Sequence, residues 1–249
     1  MKEQIHTSPV AEAFVSQDEC PFCRLERDAE HRAIRFFVGP GASYMEPEIR
    51  GITNRKGFCA CHTKKLYDYG NALGSALILQ THMEDILLQL QTLSENREIP
   101  EKKGLFRKKP EEKQTDWQQL QQRVSSCAIC DQLSDSVQRH YRVFFSLLKD
   151  AEFRGYVERC NGFCLPHFVR LLQEAENHLP ASQAAWFYPV VYRVMEENLQ
   201  RVKSDLDLLI RKYDYRNAAL PWDNARDSLQ RSMQKLSGIY PADPPYRKD

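Results

Sequence analysis

The chain has 249 residues, 42% of them hydrophobic, which is enough for a real core in one large domain or two small ones. Its 35 lysines and arginines nearly cancel 34 aspartates and glutamates, so no global field recruits nucleic acid or an anionic membrane. No stretch approaches the roughly 18 apolar residues needed to cross a bilayer, and MKEQIHTSPVAEAF at the start lacks a signal-like apolar run; a cytoplasmic protein is expected.

In chain order, Thr7-Ser8-Pro9 reads as a helix start, with Pro9 in the first turn. Cys20 and Cys23 then form CPFC, and Cys59 and His62 follow in KGFCACHT. Leu79, Met83, Ile86, Leu90 and Leu93 step 4, 3, 4, 3, the seam of a helix that packs on another helix. Residues 98–115 are charged, carry Pro100, Pro110 and Gly104, and read as a linker or exposed loop. Its KKGLFRKK core is read as a solvated charge run rather than a nucleic-acid contact. Cys127 and Cys130 form CAIC, and Cys164 and His167 follow in NGFCLPHF. Pro180 and Ser182 open a second long helix whose seam is Met195, Leu199, Val202, Leu206, Leu209 and Tyr213, with Pro189 placed to kink or delay it. Leu229, Met233 and Leu236 predict a last helix docked by its apolar side, and a proline-rich tail ends the chain.

The cysteines therefore follow one pattern written twice: C-x-x-C, a spacer, then G-F-C-x-x-H. The spacer runs 36 residues from Cys23 to Cys59 and 34 from Cys130 to Cys164. Arg32, Arg35 and Phe37 stand at the same offsets in the first copy as Arg139, Arg142 and Phe144 in the second, and EIRG at 48–51 matches EFRG at 152–155. So many shared offsets point to an internal duplication. The expected fold is all-α, a helical bundle of two duplicated Cys/His modules with long packed helices: a first module at 1–97, the linker at 98–115, a second module at 116–213, and a C-terminal helix and tail at 214–249. The two long helices are expected to pair, with self-association of two chains as the rival use of their seams.

In a reducing compartment eight cysteines are more readily metal ligands or redox groups than disulfides. Structural zinc takes four thiolate or imidazole ligands in a tetrahedron, and each half supplies three thiols and one imidazole. The expectation is two zinc ions per chain, one held by Cys20, Cys23, Cys59 and His62 and one by Cys127, Cys130, Cys164 and His167. Gly57 and Gly162 would allow a sharp entry, at positive φ, into ligand-bearing helices whose N-terminal dipoles favour thiolate. The repeated arginines are candidate donors to the sulfurs, and Phe58 and Phe163 are packing residues that shield the metal. Cys61 and Cys160 lie outside the pattern and are expected to be free thiols. An iron–sulfur cluster on the same ligands is the alternative cofactor.

Competing chemistries fail on context. A glutaredoxin-like CPFC should follow an apolar strand, and AFVSQDE precedes it here. Haem attachment needs histidine where Arg24 and Asp131 stand. Four ligands saturate a zinc ion, which argues against hydrolysis.

The doubled CPxC and GFCxxH motifs, with the DYR turn at Asp214–Arg216 and a terminal helix, resemble a family of bacterial hypothetical proteins that carries this repeat as a domain of unknown function. The resemblance spans nearly the whole chain and implies metal binding at the eight motif residues, with no substrate or activity attached. The function expected is a metal-stabilised interaction or regulatory scaffold with a protein partner; a thiol-redox or metal sensor is the alternative. An enzyme with a pocket near Trp186, Tyr188 and His140 finds no Ser/His/Asp signature, phosphate-binding loop or Glu-x-x-His pair.

Overall fold

The computed structural model describes residues 8–97 and 115–246, apart from 42, 218, 242 and 245. Among these residues there are eleven α-helices and no strand: α1 (Pro9–Val15), α2 (Pro21–Val38), α3 (Pro47–Lys56), α4 (Ala60–Tyr69), α5 (Ala72–Glu95), α6 (Asp116–Ser125), α7 (Ala128–Leu147), α8 (Ala151–Arg159), α9 (Leu165–His178), α10 (Ala181–Lys212) and α11 (Ser228–Ser237). The all-α expectation holds. No helix among them is long and apolar enough to cross a membrane. Most of the predicted linker, 98–114, lies outside the described residues, as does Thr7; α6 opens at Thr115 with a capping box closed by Gln118.

The chain forms two compact units that cut across the expected halves. Of the described residues, one unit joins those up to Ala29 to those between Asp135 and Pro244; the other holds those between Glu30 and Ser134, with Tyr246. The boundary falls inside α2 and inside α7. Each of these helices therefore begins among the residues of one unit and ends among those of the other. An 18-residue helix such as α2 is about 27 Å long. A ligand pair at its first turn is thus carried far from whatever its last turn packs against.

The first unit is centred on aromatic rings. Phe144 is fully buried and stacks on Phe14 at 5.3 Å between centroids, with Phe22, Phe145, Phe153 and Phe187 around it. Phe22, between the two cysteines of CPFC, stacks on Tyr141 at 4.3 Å. Phe163 is fully buried against Phe14, Phe22 and Phe168, as expected of a residue that shields the ligands beside it. In this unit α10 runs unbroken through Pro189 and packs on α11 and α8, burying Met195 and Val202 while leaving Leu199 and Tyr213 outside.

The last helix docks the other way round from the sequence expectation. Leu229, Met233 and Leu236 are exposed, whereas Ser228, Arg231, Gln234 and Lys235 are buried. The reason is a set of matched charges and carbonyls. Arg231 pairs with Asp205 and Asp227, both at 2.9 Å, and Lys235 pairs with Glu19 at 3.0 Å while donating to the carbonyls of Glu19 and Asn161. Buried charge is tolerated when it is paired and hydrogen-bonded, and here that requirement decides which face turns inward.

The second unit has a mixed aliphatic and aromatic core that includes Ile34, Phe37, Val38, Leu66, Tyr69, Ile78 and Ile129, with Tyr44, Ile49, Ile52 and Phe58 packed against it. Here α5 packs chiefly along α3. It buries only Gly74 and Ile78, and the predicted seam stays open, with Leu79, Met83 and Leu90 exposed.

Candidate metal centres

All four ligand-bearing motifs share one local design. Cys59 is the N-cap of α4 and Cys164 the N-cap of α9, both extended, at φ −67° and −77°. Cys20 and Cys127 immediately precede α2 and α7, and their carbonyls accept the first-turn amides of Arg24 and Asp131 at 3.3 and 3.1 Å. The second member of each pair sits three residues on, within the first turn. That is the spacing at which a capping side chain and the third helical residue meet on one side of a helix start. Gly57 and Gly162 precede the two C-x-x-H motifs at φ 57° and 82°, the left-handed entry anticipated from the sequence.

At Gly162 the conformation is reinforced by crowding, because an added Cβ would lie 3.2 Å from the Val194 carbonyl oxygen and 3.1 Å from Asn198 Cβ. Gly162→Ala is expected to cost about 1–2 kcal/mol in urea unfolding from the left-handed backbone alone. Gly51→Ala, where only the mobile Arg55 guanidinium is near, should be neutral or stabilising by up to about 1 kcal/mol.

The eight predicted ligands come together in two groups of four, but not by halves. Cys20 and Cys23 meet Cys164 and His167; Cys59 and His62 meet Cys127 and Cys130. In each group the donor atoms all lie within 4.8 Å of one another. The expectation of one closed site per half is therefore corrected: each cluster takes the C-x-x-C of one half and the C-x-x-H of the other. The physical reason is the path of α2 and α7, whose first turns belong to one unit and whose last turns, with the helices that follow, belong to the other.

The geometry suits a single ion. In the first cluster His167 Nδ1 lies 3.0, 3.4 and 3.5 Å from the sulfurs of Cys164, Cys23 and Cys20, and Cys23 and Cys164 are 3.5 Å apart. In the second, His62 Nδ1 lies 3.2, 3.3 and 3.3 Å from Cys59, Cys127 and Cys130, and Cys59 and Cys130 are 3.8 Å apart. A tetrahedron with metal–sulfur bonds of about 2.3 Å and a metal–nitrogen bond of about 2.0 Å has sulfur–sulfur edges near 3.8 Å and sulfur–nitrogen edges near 3.5 Å. The edges given above lie within about 0.5 Å of these. A divalent ion with three thiolates has a net charge of about −1, and the two helix N-termini aimed at each cluster supply roughly half a positive charge apiece.

Hydrogen bonds between the imidazoles and the thiols shift both kinds of group. In the second cluster, burial disfavours a charged His62, yet hydrogen bonds to Cys127 and Glu30 outweigh it and push the imidazole up to about 10. Burial likewise opposes ionisation of Cys127, but its bonds to His62 and the Cys59 and Cys130 backbones draw it down to about 6. Burial and the neighbouring Cys127 push Cys130 up to about 12. The first cluster follows suit: burial is outweighed by Cys164 and Cys20, and His167 is pushed up to about 12.

The histidines are oriented by carboxylates that sequence reasoning missed. His167 Nε2 lies 3.1 Å from Glu26, and His62 Nε2 lies 3.0 Å from Glu30, which leaves each Nδ1 to face the sulfurs. Glu26 and Glu30 stand one turn apart on α2, and each serves the cluster of its own unit. Glu30 is fastened in turn by Lys65 at 2.6 Å and by the Tyr246 hydroxyl at 2.8 Å. Burial alone would raise its carboxyl, but the bonds from His62, Lys65 and Tyr246 hold it at about 2. The arginines singled out by the repeat, Arg32, Arg35, Arg139 and Arg142, are all exposed. Glu26 and Glu30 escaped notice because their equivalents in the second copy are Leu133 and Val137, so a search for shared offsets passes over them. Glu26→Gln and Glu30→Gln are each expected to weaken only their own site, by about tenfold or more, in competition against a chromophoric chelator.

The two clusters differ in access. In the first, Cys20 and Cys164 are fully buried and Cys23 and His167 nearly so, and the end of α11 closes over it, with Cys23 Sγ 3.4 Å from the Gly238 carbonyl oxygen. In the second, Cys130 is exposed and Cys59 half-buried. Cys61 is exposed beside it, and Cys160 is buried, its thiol 3.2 Å from the Val157 carbonyl oxygen. The first unit also carries an open polar depression of about 520 Å³. Its charges are engaged with one another, Arg27 with Asp18 and Asp243, and Arg201 with Glu19. Trp186, Tyr188 and His140 do not line it.

Fold and clusters together define a class: a protein helical throughout its described residues' regular structure, with two Cys₃His groups that could each hold a metal ion. The chain belongs to a family of unknown function (DUF6062), which it matches over residues 1–243. No curated protein and no solved structure matches it.

Proposed function

We propose that the protein is a zinc-stabilised helical scaffold that recognises another protein, and that its two ions join the halves of a duplicated sequence by exchange. The observation that carries this is the pair of four-donor sets at single-ion spacing. Cys20, Cys23, Cys164 and His167 would hold one ion, and Cys59, His62, Cys127 and Cys130 the other. Four ligands leave no open position for a substrate or an activated water, which favours a structural role over hydrolysis. Donors that all lie within 4.8 Å of one another suit one ion better than a cage of several irons with bridging sulfides. In the first unit the ion would fasten residues 20–23 to residues 164–167, a closure over more than half the chain, where a crosslink restricts the unfolded state most. Elemental analysis of protein purified without added metal should find about two zinc ions per chain. Iron with acid-labile sulfide in their place would overturn the assignment.

Exposure of Cys130 supports a second reading, a thiol sensor built on the second cluster, because thiolates that solvent reaches are the ones oxidised. Peroxide at low equivalents should then release one ion while the buried cluster keeps its own. Equal loss from both clusters, or from neither, would leave the scaffold alone standing.

A further inference from the structure

We propose that the outer face of α5 is a self-pairing surface, on which a second copy of this chain docks its own α5 antiparallel about a two-fold axis at Met83. The inference stands apart from the metal reading, since α5 carries none of the ligands.

The first ground is exposure. Leu73, Leu79, Met83, Leu87 and Leu90 are 67, 42, 64, 58 and 43% exposed. At helical spacing these five, with exposed Ala72 and Ala76, fall on one stripe that runs nearly the whole of α5. The stripe contains no charged residue. The charges of α5, Glu84, Asp85 and Glu95, lie off it, and the helix has no lysine or arginine to suit an anionic membrane.

The second ground is area. Taking a leucine or methionine as roughly 200 Å², the exposed parts of the stripe amount to about 600 Å² per chain, at the upper end of what a monomer ordinarily leaves open. Two such faces bring together about 1,200 Å², the lower edge of the range for stable interfaces, which suits a dimer of micromolar affinity.

The third ground is self-complementarity. Antiparallel pairing about Met83 opposes residues equidistant from it: Leu79 meets Leu87 of the second copy, Leu73 meets Leu93, and Ala76 meets Leu90. The small Ala76 lies in a groove of about 650 Å³, lined by Leu66, Tyr67, Ala72 and Leu79 and also by Asp68, Asn71 and Ser75, whose apolar part would receive the second copy's Leu87 and Leu90. An arbitrary partner protein would not require the stripe to read alike in both directions.

Light scattering coupled to size exclusion tests this on the metal-loaded full chain. The parent should show a concentration-dependent dimer. Met83→Lys should give a monomer with unchanged circular dichroism and unfolding midpoint, because the side chain is exposed in the single chain. Leu88→Lys, exposed but off the stripe, should leave the dimer intact. Mixing Met83→Lys with Met83→Glu should restore a dimer, since the axis opposes the two substituted positions. A parent that stays monomeric into the hundred-micromolar range, its face then left for some other protein, overturns the proposal. So does a dimer indifferent to Met83→Lys, or a failure of the mixed variants to pair.

Discussion

Treatment with a strong chelator is expected to remove the ions in two phases and to lower the thermal midpoint by about 8–16 °C for each ion removed. The magnitude follows from linkage. An ion that binds only the folded chain, present at about a thousand times its dissociation constant, adds about 4 kcal/mol, and in a chain of this size each kcal/mol moves the midpoint by about 2–4 °C. The order follows from access. The second cluster, with Cys130 exposed and Cys59 half-buried, should empty first. The first is sealed by the end of α11 and by rings around Phe22 and Phe163, and should empty only as the first unit opens. Zinc release followed with a colorimetric indicator, alongside circular dichroism, separates the phases. A midpoint unmoved by complete removal would show that the helical cores hold without the ions.

The motif residues were legible because ligation leaves a strict signature: two donors three apart at a helix start, behind a glycine. The clustering of all eight motif side chains in groups that could hold a metal, the positive φ at Gly57 and Gly162 and the burial of Phe163 were therefore within reach of the sequence. Partner choice between motifs was not. Local spacing brings Cys20 to Cys23 and Cys164 to His167, but nothing in either pair says which distant pair completes the tetrahedron. That is decided by α2 and α7, each of which starts in one unit and finishes in the other. Two further features escaped the sequence, each for its own reason. The stripe Leu229, Met233 and Leu236 promised an apolar dock, yet the ion pairs of Arg231 with Asp205 and of Lys235 with Glu19 turn α11 over, and charge partners this remote in sequence leave no periodic trace. Glu26 and Glu30 orient the histidines from a single helix, so the duplicated pattern that exposed the ligands concealed their supports.

The exchange of ligands between halves has the sharpest test. Substitutions paired within one cluster should cost one ion, and substitutions split between clusters should cost both, because a zinc site that loses a thiolate from its four binds far more weakly. In native mass spectrometry of protein purified without added metal, the Cys23→Ser, Cys164→Ser double variant is predicted to retain one ion per chain and the Cys23→Ser, Cys59→Ser double variant none. The reverse outcome, one ion kept by the second variant and none by the first, would place a complete site in each half and contradict the arrangement of helices described above.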